Sequence, residues 1–287
     1  MHYRGRFAPS PTGLLHFGSL VTALASYLDA RQHLGKWLVR IDDLDRLRER
    51  PGSAARILST LEQFGMHWDE EIVYQSRRRL LYQEALEALR TTGEIYGCNC
   101  SRKEIARVAA AGIEGLIYPG SCRNRNIKLT ASHSLRLHTH DSEIRFDDRI
   151  QGAVMQRIES EVGDFIVRRG DGIYAYQLAV AVDDAEQGIT DVVRGEDLLL
   201  STPRQIYIQQ LLKLPQPAYA HLPLVTNADG SKLSKSSDAW PVDTRDPVKT
   251  LNRALHFLGQ QQIEAESIGE FWPAAIAGWN VEAVRHS

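Results

Sequence analysis

Apolar positions along this 287-residue chain change their period several times, and each change marks an element. Tyr3 to Ala8 reads as a short buried strand, stopped by Pro9-Ser10-Pro11-Thr12-Gly13, where prolines forbid ladder bonds and glycine permits a sharp turn. From Gly18 onward Leu20, Ala23, Leu24, Tyr27 and Leu28 recur at helical spacing, with Gly35 as the stop. Trp37 to Ile41 is a second strand, and Asp42-Asp43-Leu44-Asp45 stands at its carboxyl end. Helices are expected over Ser53 to Phe64 and Arg77 to Thr92. From Cys98 to about Ser160 the chain is mixed and loop-rich, and the alternation of Ser134-Leu135-Arg136-Leu137-His138 predicts a half-exposed strand. The strand and helix rhythm resumes with Asp164 to Arg168, Tyr174 to Val182, Asp191 to Arg194 and a helix near Pro203 to Leu212. Val248 to Leu258 and the Trp-containing tail read as further helices. This order implies an α/β fold, and in an open parallel sheet the carboxyl ends of the strands are where ligands bind.

Composition narrows the class. A hydrophobic content of 43% over this length can bury a core. The start has no apolar core of signal-peptide length, and no stretch approaches the roughly 18 apolar residues of a spanning helix, so the cytoplasm is the expected compartment and no membrane is expected as partner. A net charge of −2 gives no chain-wide attraction to nucleic acid. Any phosphate-binding surface must then be local, with Arg77-Arg78-Arg79 and the group Arg102, Lys103, Arg107, Arg123, Arg125 and Lys128 as candidates, unless these are ordinary solvated charges. The three cysteines, Cys98, Cys100 and Cys122, fall within 25 residues of one another. Three thiolates and one more donor satisfy tetrahedral zinc, and such a site would staple a loop-rich segment that lacks a large core. His138 or His140 can supply the fourth donor; free buried thiols are the alternative.

Two motifs carry the chemistry. Arg6-Phe7-Ala8-Pro9-Ser10-Pro11-Thr12-Gly13-Leu14-Leu15-His16-Phe17-Gly18-Ser19 resembles the HIGH signature of class I aminoacyl-tRNA synthetases in its glutamate-specific form, and Lys232-Leu233-Ser234-Lys235-Ser236 resembles the KMSKS loop. The resemblance implies a Rossmann-type nucleotide-binding catalytic domain whose first half is residues 1–97 and whose second half, with the lysine loop, is 161–238. Residues 98–160 would form a zinc-stapled insertion and 239–287 a short helical C-terminal region. Amino-acid activation needs positioning and positive charge where pyrophosphate leaves. ATP would meet His16 near a helix start, Gly18 with its bare backbone, and Lys232 and Lys235, with Mg2+ accompanying the nucleotide. His16 and Lys235 would be the catalytic pair.

By the same resemblance, L-glutamate binds among Arg6, Phe7, Ala8, Pro9 and Ser10, with Asp42 facing its ammonium and Tyr176 and Arg194 completing the pocket. An arginine presents a planar fork to a carboxylate, which lysine cannot. The family commonly has Glu where this chain has Asp42, one methylene longer. The run Cys-x-Cys followed by Tyr118-Pro119-Gly120-Ser121-Cys122 implies a structural zinc held by Cys98, Cys100, Tyr118 and Cys122. About 50 residues follow Ser236, too few for an anticodon-binding domain. That truncation resembles the glutamyl-queuosine tRNA(Asp) synthetase family. It implies a monomer that activates glutamate without RNA and then transfers it to queuosine at the wobble position in the anticodon stem-loop of tRNA(Asp). A truncated enzyme charging the 3′ end of tRNA(Glu), or a silent RNA-binding paralogue, is the alternative.

Overall fold

The computed structural model describes residues 2–127, 132–225 and 242–284. Lys128, Lys232, Lys235 and the rest of the lysine loop lie outside the described residues. The first unit is strand, helix, strand: β1 (Arg4–Phe7), α1 (Phe17–Gln32) and β2 (Lys36–Ile41). β1 and β2 pair in parallel, with Arg6 opposite Leu38. Helix α1 is buried almost all round, from Leu20 through Ala30, because it is covered by the sheet on one side and by C-terminal helices on the other. The helix α2 (Ser53–Gln63) and the short strand β3 (Val73–Tyr74), parallel to β2, complete this half.

Next come α3 (Arg79–Thr91), β4 (Ile95–Cys98), α4 (Arg102–Val108), the two-residue strands β5 (Ala111–Gly112) and β6 (Gly115–Leu116), and β7 (Ser134–Leu137). The hairpin β8 (Glu143–Asp148) and β9 (Gly152–Arg157), the single turn α5 (Ile158–Glu161) and β10 (Phe165–Arg168) follow. Strands β10, β7 and β4 form an antiparallel sheet in that order. The expectation of a half-exposed strand at β7 is corrected here, since Leu135, Arg136 and Leu137 are all buried. The Arg136 guanidinium is folded inward, donating to the Asp164 carbonyl at 2.7 Å and lying 3.7 Å over the Tyr118 ring. Within the mixed segment from Cys98 to Ser160, β8 pairs in parallel with a strand of the central sheet at Asp148 and carries β9 with it.

The second half supplies α6 (Tyr176–Glu186), β11 (Asp191–Gly195), α7 (Thr202–Leu212) and β12 (Ala218–Leu222), with β11 and β12 parallel. Thr190 N donates to Arg4 O at 3.0 Å, so β1 and β11 run side by side. The spatial order becomes β3, β2, β1, β11, β12, β8, β9, and the winding reverses between β1 and β11. Such a switch point opens a crevice at the strand carboxyl ends.

Helices α8 (Pro247–Phe257) and α9 (Ile268–Gly278) then pack on α1. Trp272 of α9 meets Tyr27 of α1 at 4.7 Å between ring centroids and donates from Nε1 to the Phe64 carbonyl at 3.2 Å. Gly65, at φ +71°, permits this approach, because a Cβ there would lie 2.7 Å from Trp272 Nε1. Buried Asp29 of α1 gathers Tyr3, Arg149 and Trp279 on its carboxylate.

Candidate active site

A cavity of about 540 Å³ fills the crevice between β1 and β11. Arg6, Phe7, Ala8, Pro9, Ser10, His16, Gly18, Tyr176 and Arg194 all line it, although they are contributed by widely separated segments. Asp42 does not. It opens on an adjoining cavity of about 710 Å³, and Ser10, Arg48 and Tyr176 form the wall the two cavities share.

Two cations of the first cavity, Arg6 and Arg194, are held by buried partners. Arg6 is 3% exposed, and its Nε and Nη2 donate to the two oxygens of Asp184 at 3.2 and 3.3 Å. Arg40, fully buried, donates from Nη1 to Asp184 at 2.7 Å and from Nε to Asp42 at 2.9 Å. One network therefore joins the Arg6 guanidinium to the Asp42 carboxylate. Burial would raise the Asp184 carboxyl, but Arg6 and Arg40 outweigh it and hold the group below its ordinary value. At Asp42 burial wins over Arg40, and the carboxyl is pushed up to about 6.

Arg194 is fixed differently. Its Nε donates to His221 Nε2 at 3.0 Å and its Nη2 to Thr202 Oγ1 at 2.8 Å, while His221 Nδ1 bonds Asp148 at 2.6 Å. Accepting at Nε2 requires an imidazole protonated on Nδ1 only. Burial agrees, depressing the His221 pKa, and the neighbouring Arg194 charge adds to it against the raising effect of Asp148. The remaining Nη1 of Arg194 is buried with no hydrogen-bond partner among the described residues. An unmatched guanidinium N–H costs about 1–3 kcal/mol or more, which an anionic ligand in the cavity would recover.

His16 is the N-cap of α1, accepting at Nδ1 from Ser19 N at 3.3 Å. Gly18 and Ser19, in the first turn of the helix, line the same cavity, and a helix start is a setting that favours anions. A Cβ at Gly18 would find only ordinary contacts, 3.5 Å from the His16 ring and 3.7 Å from Val225. None of the described residues demands glycine there, so what the missing side chain spares is cavity space.

The sequence reading missed Arg40, Asp183, Asp184 and His221. A signal existed for the first three. Arg40 interrupts the apolar run of β2, and Asp183-Asp184 closes the apolar run Leu178 to Val182 of α6; charges in such runs are buried and must find each other. Asp183 also accepts from Gln75, Tyr82 and Arg78, each at 2.8 Å. Arg78 is thus a structural cation rather than a free surface one, and so is Arg123, bonded to Asp164 and Glu159.

Cys98, Cys100 and Cys122 converge with their sulfur atoms within 4.8 Å of one another. The Tyr118 hydroxyl sits among them, 3.4 Å from Cys98 Sγ and 3.5 Å from Cys100 Sγ, and Cys100 and Cys122 are 3.4 Å apart. Such spacings are those of donors around a tetrahedral ion with bonds of about 2.0–2.3 Å. Arg136 and the Tyr118 hydroxyl offset burial and hold the Cys98 thiol below its usual value, whereas burial pushes Cys100 up to about 11. This cluster can bind a metal. His138 and His140 do not join it but stand with Glu94, which removes them as the fourth donor.

The family described as tRNA synthetases class I (E and Q), catalytic domain, matches residues 2–260. A Chromobacterium violaceum protein named Glutamyl-Q tRNA(Asp) synthetase is 52% identical over 283 residues, covering 98% of this chain and 95% of that protein. A Neisseria meningitidis serogroup C protein of the same name is 50% identical over 286 residues, with 98% and 97% covered. Among solved structures, a glutamate tRNA ligase from Elizabethkingia meningosepticum in complex with its amino acid aligns with a TM-score of 0.82 at 26% identity. The alignment takes in 100% of this chain and 66% of that one, so the chain spans about two thirds of its length.

Proposed function

The chain belongs to the catalytic-domain family of class I tRNA synthetases (E and Q), and from that premise we propose that it is a ligase forming glutamyl-queuosine. It activates glutamate with ATP in the absence of RNA, then transfers the glutamyl group to a cyclopentenediol hydroxyl of queuosine at the wobble position of tRNA(Asp). In the first step a glutamate carboxylate oxygen attacks the α-phosphorus of ATP and pyrophosphate leaves. In the second the hydroxyl oxygen attacks the activated carbonyl, loses its proton and releases AMP.

The observation that carries this reading is the pair of buried guanidiniums, Arg6 and Arg194, on one cavity together with the cap of α1. Two fixed cations suit the side-chain carboxylate of glutamate, with the orphaned Nη1 of Arg194 as an open donor. Asp42, tied through Arg40 and Asp184 to Arg6, is the counter-charge for the ammonium, reached across the wall of Ser10, Arg48 and Tyr176. His16 and Gly18 receive the nucleotide phosphates and sugar, and Lys232 and Lys235 bring charge to the departing pyrophosphate, with Mg2+ as the nucleotide's companion. The half nearer the thiol cluster, with Arg102 and Arg169 lining the larger cavity, is where an anticodon loop would be read.

Cys98, Cys100, Cys122 and Tyr118 fit a zinc ion by number, softness and spacing. It would be structural, closing the hairpin of β5 and β6 onto β4. The division into residues 1–97, 98–160, 161–238 and 239–287, the monomeric state and the cytoplasmic location belong to the same proposal.

The test is glutamate-dependent exchange of pyrophosphate into ATP without RNA, followed by transfer to tRNA(Asp) with and without queuosine. Exchange without RNA and transfer only to the queuosine-bearing molecule are expected. Exchange that requires tRNA(Glu), with product at its 3′ end, would establish the truncated charging enzyme instead. Lys235→Ala should lower exchange by about 10²-fold or more, the scale of one lost transition-state donor.

A further inference from the structure

One group of metal-type donors has no part in either cavity or in the thiol cluster. Glu94, His138 and His140 place a carboxylate oxygen and two imidazole nitrogens within 4.8 Å of one another, at the junction of α3, β4 and β7. We propose that this trio binds one divalent transition ion of the zinc, nickel or copper class, clipping the turn after α3 to the end of β7. The inference is independent of the glutamate-transfer reading.

The backbone makes the arrangement. Just past β7, His138 and His140 share one side with Glu94 while Thr139 between them is buried on the other. Thr139 is fully buried and donates to Asp164 Oδ1 through N at 2.8 Å and Oγ1 at 3.0 Å, which fixes both histidines outward. His138 N donates to the Glu94 carbonyl at 2.7 Å, and Tyr207 OH donates to the His138 carbonyl at 3.1 Å. Gly93, at φ +83°, turns the chain out of α3 and delivers Glu94 to the same face.

The side chains then converge on a point. Glu94 Oε2 lies 3.3 Å from His138 Nδ1 and 2.9 Å from His140 Nε2, and the imidazole centroids are 4.4 Å apart. For bonds of about 2.0–2.2 Å, neighbouring donors around an ion stand about 2.8–3.6 Å apart, from square to tetrahedral angles. Both separations fall in that interval. Imidazole and carboxylate together suit borderline ions better than Ca2+ or Mg2+, which take oxygen. The side chains are 21%, 33% and 51% exposed for Glu94, His138 and His140, so water can fill the remaining positions. An ion here would also brace Asp164, which bonds Arg123 beside Cys122, and hence the sheet that carries the thiol cluster.

The test uses the full chain carrying one equivalent of zinc, which the three-thiolate cluster takes first, titrated with nickel(II) by calorimetry and followed by thermal unfolding. Wild type should take up one further ion per chain and show a Tm that rises with nickel concentration. Glu94→Gln and His140→Ala should each weaken uptake at least about tenfold, the lower end of what a lost supporting partner costs a metal site. Both should lose the Tm rise, while His256→Ala on α8 should keep it. Uptake unchanged in the two variants would overturn the proposal. So would absence of nickel binding in wild type, with the variants less stable in the absence of metal, since the trio would then be an ion pair only.

Discussion

At the scale of the residue, the feature that decides most is the charge balance around Arg40. Asp42 and Asp184 share one buried guanidinium, yet their carboxyls shift in opposite directions: at Asp42 burial outweighs the pull of Arg40 and of the more distant Arg6, whereas Asp184 is hydrogen-bonded by both Arg6 and Arg40. On its proposed role, Asp42 must be ionised to meet an ammonium. With its pKa raised to about 6, the anion is the dominant form above that pH and is lost below it. The KM for glutamate in the exchange reaction should therefore climb as pH falls through about 6, while the KM for ATP changes less; parallel pH profiles for both substrates would dismiss this role. Asp184→Asn should weaken glutamate more than ATP, because it releases Arg6 from its fixed orientation. It should also lower stability by roughly 3–5 kcal/mol, the scale for leaving buried charge unpaired, measurable by urea unfolding. Arg6, His16 and Arg194 were legible in the sequence because they stand in motifs. His221 was not, and for Asp184 only its burial could be read, since the partners of both lie far away in sequence and only the fold brings them together.

At the scale of the element, packing on α1 is the largest commitment of the C-terminal helices. Trp272 fills the space between Tyr27 and the turn at Phe64, with Gly65 making room. Trp272→Ala should cost about 3–5 kcal/mol, the range for deleting a large buried aromatic, and denaturant midpoints would register it. Helices such as α2, α3 and α8 could be read from periodicity because one face of each is polar. Strand β7 was misread as half-exposed because alternation was taken as a sign of solvent, whereas Arg136 is buried by its contacts with Tyr118 and Asp164. The hairpin β8 and β9 went unseen for a related reason: its buried residues include Asp148 and Gln156, polar side chains whose places are set by contacts elsewhere in the fold.

At the scale of the whole molecule, the thiol cluster stands away from the smaller cavity but borders the larger one, which Tyr118 and Arg136 help to line. The Tyr118 and Gly163 bridge, the salt bridges of Arg123 and the pairing of Arg204 with Glu114 tie its segment to the rest of the fold. Removing metal with a chelator, or changing Cys98 to Ser, should accordingly impair transfer to RNA more than glutamate-dependent exchange. Metal analysis together with the two assays on one preparation checks this, and equal loss of both activities would mean that the cluster supports the catalytic sheet itself. The ends of the described chain are joined much more firmly. Protein termini ordinarily fray, opening and closing without disturbing the rest. Here Tyr3, before β1, and Trp279, after α9, bond the same Asp29 carboxylate, so neither end can open without stripping a partner from a buried anion. The amide hydrogens of α1 and α9 should then exchange with solvent in one shared event, and the molecule should behave as a closed ring held by a single carboxylate rather than as a strip with two loose ends.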